Sequence, residues 1–208
     1  MSNIDLVSLR DIVKTFMRDK RFLHTLGVEK EARRLGEIFI PEKCDKLSIA
    51  GLLHDITKEF SKEKQLELAK EYGKEEELIS FPPVLWHSMT GCDYARAKFG
   101  KELVDDEIYN SILYHTTGNE RMTIFDAIIY LSDYIEENRT FYDCVLLRNY
   151  FYVNLEKCNT MEEKKELLRQ TMILSFDLTI KGLMEDGKLV DFDTVKARNY
   201  FLKNKNCF

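Results

Sequence analysis

The chain has 208 residues, 44% hydrophobic and 32% charged, with a net charge of −5. That length can bury a substantial core, and the negative balance argues against broad nucleic-acid binding, which needs a basic field. A small phosphorylated ligand stays open, because a few local cations suffice for it. Nothing at the N-terminus resembles a secretory leader and no apolar run reaches membrane-spanning length, so no membrane partner is expected. Five cysteines, Cys44, Cys92, Cys144, Cys158 and Cys207, are scattered and form no CxxC. That usage suits reduced thiols in a cytoplasmic protein.

Three prolines and nine glycines among many Leu, Ile, Lys and Glu favour helices over a turn-rich β fold. The opening "IDLVSLRDIVKTFM" sets Leu6, Leu9, Val13 and Phe16 at helical intervals. A second helix begins near Arg21, with His24, Val28, Ala32, Leu35 and Phe39 on one face, and Pro41 breaks it. In the third, Leu47, Ala50, Gly51 and His54 line up. Ser61 caps "KEKQLELAKEY" and Gly73 ends it. After Pro82 and Pro83, "VLWHSMTGCDYARAKFG" reads as a helix closed by Gly100, with Trp86 as a packing anchor. "DDEIYNSILYH" brings Ile108, Ile112 and His115 onto one stripe, and Thr123 caps "IFDAIIYLSDYIEE".

The region from Cys144 to Gly187 reads as further helix, with "EEKKELLRQ" a solvated face, and a last short helix falls in "KLVDFDTVKARNYFLKN". The expectation is an all-α bundle. Without linker, repeat or low-complexity block, it forms a single domain over residues 1–208, with a helical C-terminal part from about 141 to 208.

Only four histidines occur, His24, His54, His87 and His115, each in an expected helix or at its end. Singly, each is a hydrogen-bonded core histidine before it is a ligand. Jointly that reading weakens, because four buried imidazoles need four separate polar partners. Asp55 adds a carboxylate beside His54, and Asp133 is a second acid among apolar neighbours, seven residues after Asp126. Asp133 could instead serve as a cap or pair with Arg139. An isolated buried aspartate carries a large desolvation cost that a cation offsets. Neighbouring residues on a helix point roughly 100° apart, so His54 and Asp55 can share an ion lying between their directions. The set as a whole fits one or two divalent ions held between helices.

His24, then His54-Asp55, then Asp133 resembles the H…HD…D signature of the HD-domain metal-dependent phosphohydrolases. The words "RFLHTLGV", "GLLHDITK", "LWH", "YHTTG" and "DYIEENR" resemble the YqeK family, bacterial enzymes that split diadenosine tetraphosphate symmetrically into two ADP. The likeness runs from about residue 5 to 140 and continues weakly through "DFDTVKARNYF". "SMTG" after the Trp-His pair departs from the family's usual Ala-Pro version, and residues 140–170 look longer than typical.

The resemblance implies a metal-binding, nucleotide-binding hydrolase with iron as its ion. His24, His54, Asp55 and Asp133 would hold one ion and His87 with His115 a second, Asp55 bridging and a metal-activated water attacking phosphorus. Asp55 and Lys58 would then be catalytic. Arg21, Lys58 and Arg139 would clamp phosphate, His87, His115 and Thr116 would also face substrate, and Thr116, Thr117 and Gly118 would shape a turn around it, although a helix C-cap explains that turn equally. The family often dimerises, which makes a homodimer an expectation. "SFDLTIKGLM" could touch a base or ribose, although a core helix explains it equally. The alternatives are another nucleotide phosphohydrolase, such as a mononucleotide phosphatase, or a non-catalytic nucleotide-binding module. An intact His87–His115 pair argues against the last, since a structural site needs only one closed shell.

Overall fold

The computed structural model of the protein describes residues 5–205 and 207–208. Among them lie eleven α-helices and no strand. α1 (Leu6–Lys14) is capped by Asp5 and turns Leu9 and Val13 inward. It leads to the central pair, α2 (Asp19–Phe39) and α3 (Cys44–Leu53), which lie against each other along a long face. Gly51 makes that approach feasible, because a Cβ there would stand 2.9 Å from the Glu29 Cα.

α3 stops at Leu53, so His54 and Asp55 do not lie within a continuing helix. The amides of Ile56, Lys58 and Phe60 instead bond to the carbonyls of Leu53, Asp55 and Thr57, each three residues back. These tight turns aim consecutive side chains differently from an α-helix. α4 (Lys62–Glu71) begins at the Ser61 cap and ends at Gly73, whose φ of +70° needs no Cβ to accommodate. A short helix that periodicity does not reveal, α5 (Glu75–Ile79), follows it. α6 (Trp86–Phe99) closes at Gly100, and α7 (Asp106–Tyr114) starts from an Asp105 cap. The Trp86 indole donates to the Phe81 carbonyl at 2.9 Å and packs on Leu78, a structural role as expected.

α8 (Ile124–Ile135) opens with a capping box in which Thr123 and Asp126 satisfy each other's backbone amides. The expected helical stretch after Cys144 is two helices, α9 (Tyr142–Leu155) and α10 (Met161–Glu185), the second restarted by a Thr160–Glu163 capping box. "EEKKELLRQ" is solvated at its two ends and not in between: Glu162, Glu163 and Gln170 are exposed, Leu167 and Leu168 are buried, and Arg169 turns in to donate to the Phe201 carbonyl at 2.6 Å. α11 (Phe192–Lys203) completes the chain's helices. One contiguous core runs from Leu9 on α1 through Leu52, Phe125, Leu147 and Phe176 to Phe201 on α11. Within "SFDLTIKGLM" Ser175 and Phe176 are buried and Phe176 belongs to the core, whereas Met184 is exposed.

No helix among the described residues is long and apolar enough to cross a membrane. All five cysteines are free thiols.

Candidate metal centre

Five parts of the chain bring their chemistry to one place: His24 from α2, His54-Asp55 from the end of α3, His87 from α6, His115 from the end of α7 and Asp133 from α8. Two of the imidazoles are set by the same local device. The last carbonyls of a helix lack intrahelical partners, and a histidine following the helix can supply one. His54 Nδ1 donates to the Gly51 carbonyl at 2.7 Å, and His115 Nδ1 donates to the Ile112 carbonyl at 2.6 Å. With Nδ1 carrying the proton, each Nε2 presents a lone pair to the site.

His24 is held differently. Its Nδ1 faces Glu136 Oε1 at 3.1 Å, and Glu136 itself is almost fully buried. The other Glu136 oxygen accepts from the Asn138 amide at 2.7 Å and from the Asn138 side chain at 2.9 Å. Gly27, one turn beyond His24, leaves the space for this carboxylate, because a Cβ there would come within 2.1 Å of Glu136 Oε2.

Asp55 occupies the middle. Its Oδ2 lies 3.4 Å from His54 Nε2 and 3.8 Å from His24 Nε2, and it accepts from Arg21 Nη1 at 2.7 Å. Its Oδ1 looks the other way, 3.3 Å from His87 Nε2 and 3.6 Å from His115 Nε2. Asp133 Oδ1 closes the first end, 2.9 Å from His24 Nε2 and 3.7 Å from His54 Nε2, and also accepts from the Arg139 guanidinium. At the second end His87 Nε2 and His115 Nε2 stand 3.2 Å apart, and the Lys58 ammonium lies 3.1 and 3.2 Å from the two nitrogens of His87.

The donor set fits a divalent cation on a feature independent of any likeness. His24 Nε2 and His54 Nε2 are buried and have no hydrogen-bond partner among the described residues. Carboxylate oxygens nevertheless approach both of them, too obliquely for a hydrogen bond. Buried polar atoms without partners are rare, and nitrogen lone pairs beside carboxylate oxygens are what a cation between them requires. Ligand atoms of His24, His54 and Asp133 lie within 4.8 Å of one another, as do those of His54, Asp55 and His115.

Protonation follows from the surroundings. Burial opposes ionisation of both aspartates, yet the imidazoles of His54, His115 and His87 hold Asp55 well below the usual carboxylate range. Arg139 and His24 do the same for Asp133. Burial keeps His54 and His87 below the ordinary histidine value, and hence neutral, ready to donate a lone pair. Burial would also lower His24, but the Asp133 and Glu136 carboxylates overcome it and raise His24 to about 9, so a cation taking up its Nε2 would displace a proton held there. Lys58 is pushed down by burial, against the pull of Asp55 and Asp133.

The remaining residues singled out from sequence fall in and out of this place. Arg21, Lys58 and Arg139 border it, the two arginines engaged with Asp55 and Asp133. The Thr116 hydroxyl donates to the Ser88 hydroxyl at 3.1 Å, which ties the turn after His115 to the residue after His87. Gly118 lets that turn pass close to α10: at φ +69° a Cβ would stand 2.6 Å from the Phe176 ring. Asp126 stays in its capping box. Glu136, Asn138 and Gly27 escaped the sequence reading. The one available signal was Gly27 inside a helix, where glycine costs about 1 kcal/mol relative to alanine and so points to a close approach.

Helices enclosing a mixed histidine–aspartate cluster define a class, and the comparisons agree: the HD domain family model matches residues 21–138. The chain is 30% identical over 190 residues to a symmetrical bis(5'-nucleosyl)-tetraphosphatase of Bacillus subtilis, covering 91% of this chain and 94% of that protein. A protein of the same description from Staphylococcus aureus is 29% identical over 137 residues, 66% of this chain and 69% of its own length. Among solved structures, a protein of Clostridium acetobutylicum described as a predicted HD superfamily hydrolase involved in NAD metabolism superimposes with a TM-score of 0.80. It is 32% identical, and the match covers 96% of this chain and 97% of that one. The chain belongs to the HD-domain family and, within it, to the YqeK family.

Proposed function

We propose that this protein is a metal-dependent hydrolase that cuts diadenosine tetraphosphate at its central anhydride, giving two ADP. The observation that carries the reading is the position of Asp55. One carboxylate oxygen faces His24 and His54 while the other faces His87 and His115. That is the disposition of a carboxylate shared by two cation positions, with Asp133 completing the first. The relatives described as symmetrical bis(5'-nucleosyl)-tetraphosphatases supply the substrate class.

A divalent metal at such a site polarises phosphoryl oxygens and lowers the pKa of water. The chain's own residues do the rest. His54 and His115, fixed through Nδ1, keep their lone pairs in place without reorganisation. Arg21 and Arg139, each less than a third exposed, direct guanidinium groups that can take up phosphate oxygens in bidentate fashion. Lys58, partly buried and with a lowered pKa, stabilises the departing diphosphate and can pass it a proton. Water adds to one central phosphorus, the bridging P–O bond breaks, and its electron pair leaves on the second ADP.

Iron as the ion and a homodimeric assembly follow the family resemblance. A cytoplasmic setting is supported by five free cysteines. Imidazole with carboxylate suits iron, and manganese or nickel would compete according to supply.

The test is hydrolysis of diadenosine tetraphosphate in 18O-labelled water by metal-loaded protein. ADP as the only nucleotide product, half of it carrying one label, is the expected result. ATP with AMP would reject the symmetrical cut. Release of inorganic phosphate from mononucleotides, with the dinucleotide untouched, would favour the mononucleotide phosphatase.

A further inference from the structure

The end of α8 and the turn beyond it carry three site groups in seven residues, Asp133, Glu136 and Arg139, yet the helix has none of the usual means of ending. No glycine follows it, and no non-glycine residue among those described adopts positive φ. The Glu136 carbonyl accepts from the Arg139 amide at 3.1 Å, whereas those of Ile135 and Arg139 would face out without backbone partners. They are met by a residue from another helix. Arg148, half-buried on α9, donates through Nε to the Ile135 carbonyl at 2.5 Å and through Nη2 to the carbonyls of Glu136 and, at 2.7 Å, Arg139. Among the described residues Arg148 forms no ion pair. Its positive charge sits at the negative end of the α8 dipole, and the planar fork spans the turn as an ammonium could not.

We propose that Arg148 is a positioning residue of the metal centre. By fixing the backbone of residues 135–139 it sets Glu136 against His24 Nδ1 and Arg139 against Asp133. This assigns a task to the segment beyond residue 138, where the HD domain match ends. The same helix is anchored to α2 one turn later, where Tyr152 donates to the buried Glu31 carboxylate and Arg34 stacks 3.9 Å from the Tyr152 ring. α9 therefore braces α8 and α2, the two helices that carry Asp133 and His24. The inference rests on the metal reading for its consequence but not for the contact itself.

Two measurements separate these. Hydrogen exchange on metal-free Arg148→Ala should show the amides of residues 136–139 losing protection while α3 and α7 keep theirs; unchanged protection would overturn the proposal. Competition with a chelator should then show Arg148→Ala binding divalent manganese 10–100-fold more weakly than wild type, the range for residues that orient metal ligands. Arg148→Lys should recover part of that loss, and it serves as the informative variant if the alanine protein fails to fold. A variant with lowered Tm but wild-type manganese affinity has a structural arginine only, and the proposal falls. If wild-type protein itself takes up no stoichiometric metal, the metal reading fails, and hydrogen exchange still decides whether Arg148 holds the turn.

Discussion

At one end of the site His24 leans on a buried carboxylate, with Glu136 3.1 Å from its Nδ1; at the other, His87 has the Lys58 ammonium 3.1 and 3.2 Å from its ring nitrogens. The first end adds Asp133 to the shared Asp55, whereas the second has Asp55 alone among carboxylates. The consequence is electrostatic. A cation at the first end meets two carboxylates and a third behind His24. At the second it meets one carboxylate and a neighbouring positive charge. The first position should therefore bind tightly and the second weakly, with Lys58 placed to greet substrate phosphate at the weaker end.

The largest effects expected are those that remove the first end altogether. Asp133→Ala or His24→Ala should abolish tight metal binding and reduce dinucleotide hydrolysis to background, read by elemental analysis and by ADP formation. Because ligation links α2, α3 and α8, both variants should also lose the rise in Tm that metal gives the wild type. Next comes Lys58→Ala. It should lower kcat by about 10²–10³-fold, the scale for one group stabilising developing charge, and leave metal content at the first end unchanged. Equal loss of metal and rate would mean that Lys58 acts on the site's assembly and not on the substrate.

Glu136→Gln sharpens the contrast more finely. It retains an oxygen for His24 Nδ1 but removes the charge behind it, so affinity at the first end should fall roughly 10-fold while the second is unaffected. Gly27→Ala should mimic it through sterics, since the added Cβ would displace Glu136 Oε2.

The last effect leaves the site untouched and concerns stability alone. Burial raises the Asp126 carboxyl from 3.8 to about 6, although its bonds to Thr123 work against the shift. The folded state thus holds this proton more tightly than the unfolded chain. The contribution is favourable at low pH and is lost as pH rises from about 4 to about 6. Denaturant unfolding of Asp126→Asn should lack that fall, so its stability relative to wild type should improve by about 2–3 kcal/mol between pH 4 and pH 7.

Much of this site could be read from the chain because its makers lie on apolar stripes. His24 shares a face with Val28, Ala32, Leu35 and Phe39, which are buried, and His115 continues the Ile108–Ile112 stripe. A polar residue interrupting such a stripe announces a partner. Glu136 and Arg148 gave no such sign. Glu136 sits in "EENR", which reads as a solvated helix end, and Arg148 lies in a segment without a motif. Their contacts are with a partner 112 residues away in the first case and with backbone carbonyls in the second. Contacts of that kind leave no local pattern. The end of α3 was likewise hidden, because the His54 contact to the Gly51 carbonyl that closes it replaces the glycine that usually marks a stop.

The most direct measurement is a metal titration of wild type beside His87→Ala, followed calorimetrically after chelation. Two ions binding to the wild type in separable steps, with only the tighter step surviving in the variant, is the outcome the shared Asp55 demands. A single step in the wild type, or two unchanged steps in the variant, would contradict it.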